Sequence, residues 1–203
     1  MEIVRKTIDK DLEYLRQVSE PVDFAKDDVE VIAAYLKEFC TKQVLYALAP
    51  VQIGIPKRMI YFKNTTEDMT KNETADYDEN CILVNPKILS QKGHARFLEG
   101  CDSCLDYCAV VDRPYEVTVE FESIGGKKHI EVFKGFKAVV FSHEFDHLNG
   151  ILHIDRSKEI ERLSFDERKQ YRQVHPYEVI SEDCDFEYPE IDWFKMEDKR
   201  QNI

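Results

Sequence analysis

"FSHEFDHLNG", residues 141–150, holds two histidines four positions apart with a glutamate directly after the first. Around it Phe136, Val139, Val140, His143, His147 and Leu148 fall on a helical repeat, so the stretch predicts a helix with His143 and His147 on one face, about a turn apart. Both imidazoles can then reach one ion, while Glu144, about 100° round the helix, can touch a metal-bound water without ligating the metal. Metal-assisted hydrolysis needs that separation of roles: the ion lowers the pKa of its water towards about 7 and the carboxylate takes the proton. A polar helix matching H-E-x-x-H by accident is a weak competitor, at roughly one chance in a few hundred for such a chain. A structural zinc site would need four protein ligands and would leave Glu144 without a task.

Outward from this helix, "MIYFK", "CILVNPKILS", "ARFLEG", "EVTVEFES" and "HIEVF" are short runs of branched or aromatic residues broken by Pro or Gly, the pattern of strands in mainly antiparallel sheets. Gly125 and Gly126 are placed to turn a hairpin. Leu12, Leu15 and Val18, after Asp9 as a cap, predict a short first helix, and Val29, Ile32, Ala33, Leu36, Phe39 and Cys40 a longer one. The expected fold is α+β, with short antiparallel β-sheets surrounding a central metal-binding helix. Residues 1–157 read as the hydrolase domain. Residues 158–203 read as a charged helix and an acidic tail bearing Phe186, Tyr188, Trp193 and Phe194, which either packs on the domain or awaits a partner. Residues 64–80 are acidic and aperiodic and read as a mobile loop.

The 203 residues carry a formal net charge of -12 with a pI near 5.0, which argues against broad nucleic-acid or anionic-membrane binding but leaves room for a local basic patch; no sequence-specific nucleic-acid partner and no membrane is expected. No apolar signal core opens the sequence and no window approaches the roughly 18 apolar residues of a membrane span, so the expected location is cytoplasmic. There Cys40, Cys81, Cys101, Cys104, Cys108 and Cys184 are thiols or ligands rather than disulfides. Without a secretory signal, the N-x-T triplets at Asn64 and Asn72 are not read as glycosylation sites.

Two histidines need a third donor, and "FLEGCDSCLDYC", residues 97–108, offers Cys101 first. Glu99, Gly100, Cys101 and Ser103 form E-G-C-x-S. Together with "HEFDHLNG" and the upstream "ALAPVQIG", these blocks resemble the peptide deformylases in order and spacing, from about Leu12 to Asp155. The resemblance implies removal of the formyl group from N-terminal formylmethionine of new polypeptides, on N-formylmethionyl peptides and with transient ribosome contact. It implies Cys101, His143 and His147 as metal ligands, Glu144 as general acid and base, and Gln52 with the backbone N–H of Asp102 as the oxyanion site. A thiolate and two imidazoles suit Fe(II), the expected native ion, or Zn(II), with Ni(II) or Co(II) as substitutes, and leave one position open for water. A separate zinc knot of Cys101, Cys104 and Cys108 is the rival reading of the thiols; it would strand the two histidines.

Tyr46, Ala47 and Gly100 are candidates for the substrate groove, and Ile53, Tyr107 and Phe141 for the apolar pocket of the methionine side chain, although core packing is the commoner fate of such residues. Asp146 is placed to pair with Arg96 or Arg113, the alternative being a surface ion pair. His94, His129, His153 and His175 read as structural or exposed. The chain departs from the family pattern G-x-G-[IL]-A-A-x-Q-x-G at residues 45–54, "LYALAPVQIG", where Leu45 and Ala47 replace glycines and Pro50 replaces an alanine. Asp102 stands where an apolar residue is usual, and its carboxylate is expected to point away from the metal. These departures keep open a metallo-amidase with another acyl or formamide substrate and a non-catalytic peptide- or metal-binding homologue. Endoproteolysis, the usual association of H-E-x-x-H, fits Cys101 less well than deformylation.

Overall fold

A computed structural model describes residues 3–62 and 82–195. The expectations for residues 64–80, for Cys81 and for the last eight residues lie outside the described residues. Helix α1 spans Ile8–Leu15 and α2 Val29–Gln43, followed by strands β1 (Ala47–Leu48), β2 (Met59–Phe62), β3 (Ile82–Gly100), β4 (Tyr107–Arg113), β5 (Glu116–Glu122) and β6 (Lys128–Lys134). Helix α3 (Phe136–Leu148), β7 (Ile160–Arg162), α4 (Phe165–Val174) and β8 (Glu178–Asp185) complete the chain. The first helix begins one turn earlier than Leu12 suggests, because Thr7 rather than Asp9 stands at its N-cap. In α2 the Asp28 carboxylate accepts from the Val31 N–H, which satisfies one of the free donors of the first turn.

"CILVNPKILS" and "ARFLEG" were expected to make separate strands, but Ile82–Gly100 is one strand of 19 residues. It pairs antiparallel with β2, β5, β8 and β4 in turn, so it ties the sheet together. A strand this long stays in register with four partners only by bending. Asn85 has φ 49°, the pairing slips between Val84 and Lys87 and again between Ile88 and Ser90, and Gly93 has φ 71°. At Gly93 a Cβ would stand 2.7 Å from the Glu182 carbonyl of β8, so the bend and the close approach both require glycine.

The hairpin forms as expected, with Gly126 at φ 77° and its N–H donating to Ser123 O. Helix α3 is buried on several sides, through Ala138, Val139, Phe141, Ser142, Glu144, Asp146, His147 and Leu148. A helix buried all round belongs inside a fold, and the apolar part of α3 packs with Val117, Val119, Phe121 and Phe133 of the hairpin and with β1 and β2. Two further clusters flank it: α2 against β2 and the start of β3, and α1 with Cys101, Cys104, Val111 and Ile154. Residues after 157 pack on this body. β7 pairs with β4, β8 with β3, and Phe194 is buried against Tyr107 with ring centroids 5.3 Å apart.

Candidate active site

The end of β3 meets the middle of α3 at the site. Cys101 is the first residue beyond β3, and its Sγ, an imidazole nitrogen of His143 and one of His147 lie within 4.8 Å of one another. The Cys101 Sγ is 3.2 Å from His147 Nε2. On the other side of its ring, His143 Nδ1 lies 2.8 Å from Glu99 Oε2, which leaves Nε2 for the centre and fixes the ring's rotation. Glu99 is in turn held by Arg113, whose Nε and Nη2 donate to it at 2.8 and 2.9 Å. Arg113 also pairs with Asp146, and Asp146 accepts from Arg156 Nη2 at 2.6 Å. A chain of alternating charges thus runs from the protein's flank to His143, and Arg113 at its middle is fully buried.

Burial alone would push the Glu99 carboxyl up, but the charge and hydrogen bonds of Arg113, then His143, hold it well below the usual carboxylate range. That favours the carboxylate form of Glu99, which accepts from His143. The Cys101 thiol is driven down by the hydrogen bond from Cys104 and by His147 against the cost of burial, towards the thiolate that metal ligation needs. Glu144 shifts the other way, its carboxyl raised chiefly by burial. Its Oε2 is buried without a hydrogen-bond partner.

Gln52 lies in a short 3-10 helix, Pro50–Ile53. Its Oε1 accepts from the Ala49 N–H at 3.0 Å, which turns Nε2 towards Cys101 Sγ at 3.4 Å and Ser103 Oγ at 3.3 Å. Pro50 opens this helix, where a backbone N–H would have no intrahelical partner, so the proline costs the helix no bond. Leu45 and Ala47 do not adopt positive φ, so the backbone has no need of glycine there. The Asp102 carboxylate pairs with Arg5 Nε at 2.8 Å.

A cavity of about 500 Å³ opens over these groups, lined in part by Tyr46, Ala47, Gly100, Phe97, Phe136 and Val140. Tyr46, Ala47 and Gly100 thus line this cavity. Ile53, Tyr107 and Phe141 do not: Ile53 belongs to the cluster under α2, Tyr107 to the cluster with Phe194, and Phe141 packs between Phe133 and Phe145. Each faces the core because its element turns that side inward, and the apolar wall of the cavity is built instead by Phe97, Phe136, Val139 and Val140. Asp146 is buried and partnered by Arg113 and Arg156, whereas Arg96 takes Asp112. His153 is buried, with Nε2 3.2 Å from Tyr107 O, and His94 pairs with Asp112. Arg5, Arg168 and Arg172, which also line the cavity, were not anticipated; the one local signal was the i, i+4 spacing that puts Arg168 and Arg172 on one face of α4.

The donor set suits a divalent ion. One thiolate and two imidazoles converge, the second nitrogen of His143 has its carboxylate, and an unpartnered carboxylate oxygen belongs to the residue between the two histidines. Fold and site together define a metal-dependent hydrolase.

A sequence model of the family described as polypeptide deformylase matches residues 4–163. The peptide deformylase of Rhizobium meliloti (strain 1021) is 36% identical over 149 residues, covering 73% of this chain and 82% of that protein. Among solved structures, a probable peptide deformylase from Synechococcus phage S-SSM7 superposes with a TM-score of 0.65 at 34% identity, over 76% of this chain and 99% of that one. A Met-Ala-Ser-bound class I type b peptide deformylase from Acinetobacter baumannii gives 0.66 at 25% identity, over 77% and 98%. The chain belongs to the polypeptide deformylase family, whose activity is hydrolytic removal of the N-formyl group from the N-terminal formylmethionine of newly made polypeptides.

Proposed function

We propose that Cys101, His143 and His147 hold the catalytic ion, iron(II) in the native protein with zinc, nickel or cobalt able to replace it, and that Glu144 carries the proton. The observation that carries this reading is the convergence of the three donors within 4.8 Å beside a glutamate whose buried Oε2 has no partner. When bound, the ion would supply Lewis acidity, making water acidic near neutral pH and polarising the formyl carbonyl.

The rest falls to this chain's own side chains. Glu144 takes the proton of the attacking water and passes it to the leaving amine, and a carboxyl raised by burial is suited to both halves of that transfer. Gln52 Nε2 and the Asp102 backbone N–H donate to the oxyanion that forms as the formyl carbon becomes tetrahedral. Gln52 needs no reorientation for this, because the Ala49 N–H already fixes its amide. Tyr46 and Ala47 line the cavity beside β1, which among the described residues pairs with β2 alone, so an extended peptide can add there as a strand. Gly100 forms the opposite side, and the methionine side chain enters between Phe97, Phe136, Val139 and Val140. The Met-Ala-Ser bound to the Acinetobacter baumannii relative supports a short peptide beginning with methionine as occupant.

No helix among the described residues is long and apolar enough to cross a membrane. The reading places the protein in the cytoplasm, meeting nascent chains by transient encounters at the ribosome.

The test is formate release from formyl-Met-Ala-Ser by anaerobically purified protein of known metal content, with Glu144→Ala beside it. Metal-dependent release that is lost in the variant is the expected result. Bound metal without release would reject the substrate and leave a metallo-amidase of other specificity.

A further inference from the structure

Helix α4 begins beyond residue 163, where the match to the family ends. Nevertheless Phe165, Arg168 and Arg172 of this helix line the same cavity as Cys101, His143 and Glu144. Most of the other charges around that cavity are already taken. Arg5 pairs with Asp102, Glu99 with Arg113 and His143, and Arg172 donates twice to Leu98 O while lying over the Phe97 ring. Arg168 differs: its guanidinium has no hydrogen bond or ion pair among the described residues, and its Nε is buried without a partner. It lies so close to Gly100 that a Cβ there would collide with it.

We propose that Arg168 is an anion-binding subsite of the peptide groove, selecting formylated chains with an acidic side chain at the second or third residue. This rests on the deformylase reading of the site. A partly desolvated cation without a partner is unfavourable until an anion reaches it, and Arg168 stands at the groove of a protein whose overall charge is -12. Gly100 directly precedes Cys101, so an extended chain rising about 3.3 Å per residue from the reacting carbon passes the guanidinium within its first three residues. Phe165, three positions before Arg168 and on the same helix face, is exposed at the rim. Arg172 lies close enough to repel Arg168, and burial followed by that neighbour's charge pulls its own pKa down. An acidic side chain would relieve both cations, whereas a lysine would add a third.

The experiment compares kcat/KM for formyl-Met-Asp-Ser, formyl-Met-Ala-Ser and formyl-Met-Lys-Ser, and for the same series moved to the third residue, in the metal-loaded protein and in Arg168→Gln and Arg168→Glu. The expected result is about a fivefold to tenfold preference for Asp over Lys at one of the two positions, carried by KM, abolished in Arg168→Gln and inverted in Arg168→Glu. Equal turnover of the peptides, or a preference unchanged in Arg168→Glu, overturns the subsite while leaving the deformylase reading in place. No formate from any of them overturns both.

Discussion

Removing Arg5 should slow the chemical step, and it should do so only while Asp102 keeps its charge. The Asp102 backbone N–H is proposed to stabilise the oxyanion, yet the same residue brings a carboxylate to that neighbourhood. Arg5 Nε answers it at 2.8 Å, with the Asp102 side chain only 19% exposed. In Arg5→Ala the carboxylate would face the developing oxyanion unopposed. At about 6 Å and an effective dielectric of about 20, two like charges repel by about 3 kcal/mol, roughly a hundredfold in rate. Partial exposure screens some of this, so a loss of about tenfold to a hundredfold in kcat is expected. Formate release from formyl-Met-Ala-Ser is the assay, run on Arg5→Ala, Asp102→Asn and the double variant. Asp102→Asn should stay close to the parent, and it should restore most of the rate lost with Arg5. Arg5 also donates to Gln43 and lies over the Phe39 ring, so a melting curve for each variant separates a loosened N-terminal segment from an electrostatic effect. An Arg5→Ala protein with full kcat, or one equally slow with Asn at position 102, would refute the reasoning.

Arg113→Met should cost about 3–5 kcal/mol of stability, measured by urea unfolding, because it leaves Glu99 and Asp146 as uncompensated buried carboxylates; a cost below about 1 kcal/mol would mean that the two acids find other partners or take up protons cheaply. Phe194→Ala should cost about 3 kcal/mol by the same measurement, since its ring is buried against Tyr107 and its main chain is bonded to Asp155 and Arg16; a negligible cost would place the tail off the core in solution. His153 makes stability depend on pH. Burial, then the charge of His143, pushes its pKa down to about 4, against an unfolded value of about 6.5. The unfolded chain therefore binds more protons between those values, and the contribution is complete above about pH 6.5 and lost as pH falls towards 4. At pH 5 the protein should be about 2 kcal/mol less stable than at pH 7 on this account, and His153→Gln should remove that part of the slope.

The groups proposed to be catalytic were legible because the chemistry confines them to short spacings. H-E-x-x-H sets the relation of His143, Glu144 and His147 by helix geometry alone, and E-G-C-x-S fixes Cys101 beside Glu99 along a strand. What holds those groups was legible only in part. Asp146 was read against Arg96 or Arg113, and the fold selects Arg113, 33 residues away, whereas Arg16 and Asp155, 139 apart, gave no signal; an arginine's partner at such distances is decided by topology, which periodicity does not reveal. Ile53, Tyr107 and Phe141, candidates for the apolar pocket, took the commoner fate of core packing. They carry the right side chains, but which face of a short element looks inward depends on the sheet beside it. One strand of 19 residues was read as two runs, 81–90 and 95–100, because Gly93 between them looks like a terminator, whereas here it lies within a single bent ladder.

The departures from the family pattern were legible as departures, and the structure shows how the chain absorbs each. Pro50 sits in the first turn of its helix, where an N–H has no intrahelical partner, Leu45 and Ala47 themselves do not adopt positive φ, and Asp102 arrives with a counter-ion from the N-terminal segment. None of the three displaces Cys101, His143, His147, Glu144 or Gln52 from a common centre. Leu45, Ala47 and Asp102 line the cavity together with Arg5 and the arginines of α4, whereas Pro50 is buried in the 3-10 helix. A chain that altered its reaction would be expected to change the donors or the proton carrier. One that altered only its preference among peptides would change side chains that line the groove, as Leu45, Ala47 and Asp102 do here.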